Sequence, residues 1–199
     1  MQSWMRMWVL SCLVGTLGPI AERAFAIEVQ PTPRQIQASL EEGRRVAKQG
    51  SAPDGVYARF GSDDDLRPSG FLVTKLGALT VMATHMALRG LEPSEADVAQ
   101  VIEAKTMLIN TIVFGDTPNF AVDSYMVLDQ QGRTIKPVTV RFDGQANRST
   151  VWPNAPRFKA KIVASFDYAD IDPKAKTTIT VFPAKGGEER FLVDFSEIR

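Results

Sequence analysis

The feature that most constrains this chain is the strict alternation of apolar and polar side chains in its second half. Residues 157–168 show it most clearly, because every second residue from Phe158 to Phe166 is apolar and Lys159 and Lys161 lie between them. A period of two places alternate side chains on opposite faces of a strand. The segment therefore predicts a β-strand with one buried face and one solvent-facing face.

Five further segments after Lys105 have strand patterns separated by turn residues, and they are residues 107–114, 120–128, 134–142, 177–182 and 190–195. Residues 129–133 and 185–187 are typical of hairpin turns. Pro137 predicts an edge position for its strand, because proline cannot donate to a hydrogen-bond ladder. With an early strand at 54–61, about six or seven short strands predict an antiparallel β-sandwich.

Helical patterns occupy the region before residue 105. Thr32 and Pro33 are typical of a helix start, and that helix is expected to run to about residue 49. Residues 71–89 are apolar on nearly every side, which indicates a buried helix. Ser94 and Asp97 have the spacing of a capping box that opens a helix to about residue 104.

These patterns predict an α+β protein with two parts. Residues 27–105 form a helical region with the one early strand, and residues 106–199 form the sandwich. The helices could be a separate N-terminal unit or an insertion that caps one sheet. Because residues 107–114 are apolar on both faces, we expect the cap, which would cover the second face of that strand.

The N-terminal 26 residues have the organisation of a cleavable signal peptide. An uncharged, mostly apolar run at 7–21 follows a short positively charged segment, and the small residues Ala24 and Ala26 stand at the positions that signal peptidase reads. The run is shorter than the roughly 20 apolar residues that span a bilayer. We therefore expect cleavage before Ile27, export to the periplasm or the medium, and no membrane span afterwards.

Cys12 is the only cysteine of the chain. Its position after a short apolar stretch leaves lipid anchoring through Cys12 as an alternative to simple cleavage. If the leader is removed, no thiol remains for disulfides, zinc–thiolate sites or nucleophilic catalysis. The chain carries 23 basic and 23 acidic side chains, so no positive excess exists to neutralise phosphates, and nucleic acid is not expected as a partner.

The C-terminal third has the pattern of a known fold. The turn-forming stretch at 167–176 is followed by a strand, a turn at Gly186 and Gly187, and the segment 191–196. This succession resembles the end of small immunoglobulin-like sandwiches in exported bacterial proteins. The resemblance implies an immunoglobulin-like β-sandwich and brings no functional residues with it. The chain lacks the disulfide cysteines of antibody domains, and Trp152 lies in a loop where their core tryptophan lies on a strand.

Trp152 and Arg148 are the candidate partner-binding residues. An aromatic ring on a proline-stiffened loop beside an arginine has the composition of a recognition hot spot. The alternative is that the Trp152 ring covers the open end of the sandwich.

His85, the only histidine, lies beside Met82 and Met86 on the same predicted helix. Thioether and imidazole ligands suit Cu(I), so these residues are candidates for a copper site in an exported protein. The alternative is a buried helix in which methionine fills space.

The remaining candidates are carboxylates. Asp63, Asp64 and Asp65 are candidates for calcium binding, but consecutive residues cannot all face one ion, and a solvated loop explains them better. Asp170 and Asp172 are candidates for a carboxylate-type hydrolase by position, and their alternative role is to turn the chain between two strands.

The sequence therefore favours a non-catalytic exported module that binds or scaffolds an envelope protein or a small ligand, without a cofactor. This preference rests on the absence of a nucleophile elbow, a phosphate-binding glycine loop and a calcium loop. The alternatives are a carboxylate-type hydrolase and a copper-binding envelope protein.

Overall fold

A computed structural model of the chain describes residues 27–50, 57–185 and 187–198. Ala24, Ala26 and Cys12 of the predicted leader lie outside these residues, as does the first part of the predicted early strand. The described residues confirm the α+β class, because three α-helices accompany two antiparallel sheets.

All three helices begin at polar caps, and the sequence predicts those of the first and third helices. Thr32 caps α1 (Pro33–Lys48) and forms a reciprocal capping box with Gln35. Thr74 caps α2 (Lys75–Ala87) by accepting a hydrogen bond from the Gly77 amide. Ser94 caps α3 (Glu95–Ile102), and its capping box closes through the shorter side chain of Asp97. Each cap satisfies an amide that the first helical turn leaves unpaired.

The strands in chain order are β1 (Ala58–Gly61), β2 (Ser69–Val73), β3 (Thr106–Gly115), β4 (Tyr125–Gln130), β5 (Arg133–Ile135), β6 (Thr139–Phe142), β7 (Asn147–Arg148), β8 (Phe158–Asp167), β9 (Lys176–Phe182) and β10 (Glu189–Asp194). The larger sheet has the order β1-β2-β3-β8-β6, with β7 also pairing with β8. The smaller sheet has the order β10-β9-β4-β5. The two sheets have no strand in common.

One apolar core joins the inner faces of the two sheets. From the larger sheet it includes Ile109, Ile162 and Phe166, and from the smaller sheet Leu128 and Ile179, all of them 0% exposed. The predicted alternation of β8 is confirmed, because its even-numbered residues from Ala160 to Phe166 are buried. The result is a sandwich-like arrangement built from alternating side chains.

The predicted helix at 71–89 is wrong in its first part. Ser69–Val73 is a strand of the larger sheet, and the helix begins only at Lys75. A short apolar run cannot be distinguished from a buried helix by periodicity alone. Close packing around Gly70 accompanies the strand: an added Cβ there would lie 2.4 Å from both the Asn110 carbonyl oxygen and the Phe60 ring.

Helix α2 is also less buried than predicted. Leu79 and Ala83 are fully buried, but His85 and Leu88 are exposed. The prediction of a helix buried on every side is therefore wrong, because α2 has one packed face.

The predicted strand at 134–142 is in fact two strands. Arg133–Ile135 pairs with β4 in the smaller sheet, whereas Thr139–Phe142 pairs with β8 in the larger sheet. Pro137 lies in the crossing between the sheets, and both strands are at sheet edges, as the proline indicates. The chain therefore closes one side of the sandwich by passing from one layer to the other.

The helices share a small apolar cluster of their own, around Leu40, Leu79 and Ala83. Leu108, on the outer face of β3, is 43% exposed. The prediction that β3 is covered on both faces is therefore wrong at this position. The division of the chain at residue 105 stays a prediction.

The two ends of the sandwich differ. Loops 62–68, 116–124 and 149–157 lie at the end where β1 finishes and β8 begins, which we call the loop end. At the opposite end the chain leaves the larger sheet after β2, forms α2 and α3, and returns to the sheet at β3. The loop end is therefore free of helices, and it holds the candidate site.

Candidate functional site

The loop 149–157 at the loop end is held by its own hydrogen bonds. The buried Ser149 donates its amide to the Arg157 carbonyl oxygen at 2.9 Å and its hydroxyl to the Pro156 carbonyl oxygen. The Arg157 guanidinium Nε donates to the Pro153 carbonyl oxygen at 3.2 Å. These bonds close the loop on itself, so that its tip has a defined position.

The structure brings the two candidate recognition residues together. Arg148 belongs to β7, and the carbon of its guanidinium group lies 4.0 Å from the centre of the Trp152 ring. Trp152 is 44% exposed. The ring is therefore a stacked, partly solvated surface group rather than a lid buried over the sandwich. A cation over an indole ring is a favourable arrangement that also orients both side chains.

A cleft of about 510 Å³ opens beside this loop. Thr150 is the residue of this loop that lines the cleft, and Ile112 and Phe114 contribute apolar surface from β3. The opposite side consists of the end of β1 and the loop that follows it. A cavity of this size is within the range that accommodates a small ligand or a few residues of a peptide.

Both signs of charge line the cleft. Arg59 and Lys159 come from β1 and β8, and Arg67 and the three aspartates come from the loop at 62–68. Asp64 is occupied by that loop, because its Oδ1 accepts the Leu66 amide at 2.9 Å and its Oδ2 lies 3.6 Å from Arg67 Nε. A cleft with both charges suits a polar or zwitterionic group.

The calcium hypothesis gains no carboxylate cluster from the described residues, and the copper hypothesis stays a prediction. Within 27–50, 57–185 and 187–198, no three His, Cys, Asp or Glu side chains lie close enough to hold a metal ion. Asp63 and Asp65 are exposed beside Asp64. Of the copper candidates, Met82 packs against the helical cluster, Met86 is half-buried and His85 is exposed.

Asp170 and Asp172 are exposed. They follow the end of β8, which lies at the end of the sandwich opposite the loop end. They line a shallow depression of about 390 Å³ together with Gln130 and Arg133. Asp172 accepts the Lys174 amide at 2.9 Å, and the Asp170 carbonyl accepts from Arg133. Asp172 therefore has the turn-forming contact that the sequence offered as its alternative role, whereas the Asp170 contact joins the turn to β5.

Sequence reasoning missed the cleft residues Arg59 and Lys159 as a pair. The alternation in β1 and β8 predicts that each points outward, and this signal was available. Only the strand order β1-β2-β3-β8 places them on one face of one sheet. The missing information was the pairing of strands that are distant in sequence.

The sequence matches no protein-family model, and no curated protein is significantly similar to it. Within the described part of the chain, no helix combines the length and apolarity that crossing a lipid bilayer requires.

Proposed function

We propose that this protein is a non-catalytic, exported binding module that recognises an envelope protein or a small ligand through its loop end. The observation that carries the proposal is the exposed Trp152 ring, stacked by Arg148 on a loop that also contributes Thr150 to a cleft of about 510 Å³. The site would use the ring as an apolar anchor and the charged cleft to orient the bound group.

The energetics support binding at Trp152. Tryptophan and arginine are enriched among the residues that carry most of an interface's binding energy. Because the bonds of Ser149 and Arg157 already hold the loop, little conformational entropy remains to be lost when a partner docks. Covering the exposed part of the indole would also remove apolar surface from water.

The immunoglobulin-like assignment belongs to the same proposal. Two antiparallel sheets, a chain crossing between them at 136–138 and a C-terminal hairpin agree with the resemblance of the last third. In such sandwiches the loops at one end commonly carry recognition, while the sheets supply a rigid scaffold. Here the loop end carries the cleft and the Arg148–Trp152 stack.

Export is the second part of the proposal. Cleavage between Ala26 and Ile27 would leave a first residue whose side chain is 2% exposed in the sandwich core. Mass spectrometry of the protein purified from fractionated host cells tests this step. We expect an N-terminus at Ile27 in the periplasm or the medium. A diacylglyceryl-modified Cys12 would show lipid anchoring instead, and an intact N-terminus in the cytosol would overturn export.

Binding at the loop end is tested by site-specific photo-crosslinking in the native host. A photoreactive phenylalanine analogue replaces the exposed Asn154 in the same loop, so that Trp152 is kept, and the control places it at Leu91, which is 55% exposed between α2 and α3. We expect a discrete adduct from position 154, none from position 91, and loss of the adduct when Trp152→Ala is added. The same adduct from both positions, or none from position 154, would reject the loop end as the binding surface.

A further inference from the structure

The outer edge of β10 is a second surface with no assigned role. Among the residues that the structure describes, β10 is the edge strand of the smaller sheet and pairs only with β9. Leu192, at its middle, is 76% exposed, more than any other large apolar residue in the described part of the chain. An exposed edge strand with an apolar centre is a template for pairing with another strand.

The backbone pattern shows which residues face outward along this edge. The Phe195 amide donates to the Ala175 carbonyl oxygen across the end of the β9–β10 ladder. Because paired and unpaired positions alternate in an antiparallel ladder, the amides and carbonyls of Arg190, Leu192 and Asp194 point away from β9. A groove of about 440 Å³ lies along this edge, with Leu192 and Asp194 on one side and residues 57–61, at β1, on the other, so an added strand would lie between β10 and β1.

The charges along the edge complement one another under two-fold symmetry. If a second β10 lies antiparallel with Leu192 opposite Leu192, then Arg190 of each copy lies opposite Asp194 of the other. These three residues are the ones with outward backbone groups, so this register can form a regular ladder. A register centred on Phe191 would instead place Glu188 opposite Asp194, which is a repulsive pair.

The present contacts of both charged residues leave this pairing open. Arg190 forms an ion pair with Glu188 at 2.7 Å, but its side chain is 64% exposed, so the pair is solvated and weak. Asp194 accepts from the amide and the hydroxyl of Ser196 through Oδ1. Lys176 lies opposite Asp194 on β9 and its charge also favours the carboxylate, so an arginine that binds Oδ2 would share this carboxylate with Lys176. The hydrogen bond from Ser196 also holds the pKa of Asp194 below its usual range, so the carboxylate is charged.

We propose that two copies of this chain associate through antiparallel β10–β10 pairing, which joins their four-stranded sheets into one continuous sheet. Leu192 would meet its counterpart at the two-fold axis, and an Arg190–Asp194 ion pair would flank it on each side. Edge pairing covers little area, so the dimer is of the weak, transient class. The groove along this edge shares Arg59, Phe60 and Gly61 with the cleft, whereas Arg190, Leu192 and Asp194 do not line the cleft. The dimer does not depend on the function proposed above.

Sedimentation velocity on the purified protein, from roughly 1 μM to roughly 1 mM, tests the association over the affinity range of small interfaces. Wild type should shift from monomer to dimer as its concentration rises. Arg190→Glu and Asp194→Lys each place like charges opposite one another in the β10–β10 interface and should weaken self-association by about tenfold or more. Arg34→Glu, an equal charge change on α1, should leave the dimer unchanged.

An equimolar mixture of Arg190→Glu and Asp194→Lys gives the sharper result. In the mixed dimer, Glu at 190 faces Lys at 194 on one side and the native pair faces on the other. Association should therefore return in the mixture although each variant alone is monomeric. If Asp194→Lys loses its far-ultraviolet circular dichroism, Asp194→Asn keeps the Ser196 bonds, and its weaker dimer should lose most of its dependence on salt.

Hydrogen exchange identifies the register. The amides of Arg190, Leu192 and Asp194 should become protected as the concentration rises, whereas Phe191 and Val193 are already bonded to β9 and should not change. A protein that stays monomeric over the whole range overturns the proposal. So does a dimer that tolerates both charge reversals, or one whose protected amides lie elsewhere.

Discussion

The sandwich and the helical layer of this molecule are stabilised in different ways. The sandwich core joins both sheets and contains large, fully buried side chains such as Phe120, Phe166 and Phe195. The helical cluster contains only Leu40, Leu79 and Ala83 as buried residues, and the apolar residues around them are half-buried. Because stability follows the apolar area removed from water, most of it resides in the sandwich.

The helical layer depends on close approach of backbones instead. An added Cβ at Gly43 of α1 would lie 2.5 Å from the Thr80 carbonyl oxygen and 2.6 Å from the Ala83 Cβ of α2. The Thr84 hydroxyl lies 3.2 Å from the Gly43 carbonyl oxygen and 2.8 Å from that of Thr80, and its proton can go to either acceptor. A small cluster held by steric fit is more sensitive to added volume than to lost area.

Lys75 and Tyr168 connect the two regions. The Lys75 ammonium at the start of α2 lies 5.2 Å from the centre of the Tyr168 ring and donates to the Ile102 carbonyl oxygen of α3. Tyr168 follows β8 and donates its amide to the Lys105 carbonyl oxygen. The joint therefore combines a buried phenol of the sandwich with a charged side chain of the helices.

The largest expected effect is on the sandwich. Phe166→Ala removes a fully buried ring from the middle of the common core and should lower the free energy of unfolding by about 3–5 kcal/mol. Urea denaturation followed by circular dichroism measures it, with Val138→Ala as the exposed control. Loss of the sheets while the helices stay folded would break the comparison, because it would make the helical layer the more stable region.

An intermediate effect is expected at the joint. Burial raises the pKa of Tyr168 to about 12, so the folded protein keeps the phenolic proton at pH values where the unfolded chain has lost it. The contribution of Tyr168 to the free energy of unfolding is therefore fully present below about pH 10. Up to about 2–3 kcal/mol of this free energy is lost as the pH rises towards about 12. Denaturation from about pH 9 to about pH 12 measures the loss.

Tyr168→Phe is the matched control, because it keeps the ring beside Lys75 and removes the ionisable group. Its free energy of unfolding should fall less than that of wild type over the same interval. Identical pH profiles for the two proteins would show that the phenol is accessible to water in the folded state.

The smallest effect is expected in the helical layer. Alanine at position 43 gains about 1 kcal/mol of helix propensity, but the clash with the α2 backbone should outweigh it and leave a net loss of about 1–2 kcal/mol. Hydrogen exchange should show faster opening of α1 and α2 and unchanged protection of β3 and β8. Gly144→Ala, where an added Cβ meets nothing within 4 Å, should be neutral.

Local patterns predicted most of the elements, and they failed where packing set the outcome. The capping residues Thr32 and Ser94 determine helix starts through bonds to their own neighbours, so their signals are complete in the sequence. Residues 71–73 have no periodicity of their own, and they form a strand because Gly70 lets β2 approach β1 and β3 closely. The pairing of Arg148 with Trp152 could be predicted, because the two residues are close in sequence. The pairing of Arg59 with Lys159 could not, because these residues are far apart in sequence.

The sequence by itself determined the buried face of β8, the helix caps and the edge character around Pro137, because each depends on residues within a few positions of one another. Only the tertiary structure decided that residues 133–142 divide between two sheets, that Arg59 and Lys159 line one cleft and that Leu192 faces solvent. These features depend on which strands become neighbours. That choice is made by the energy of the whole core, which no local pattern contains.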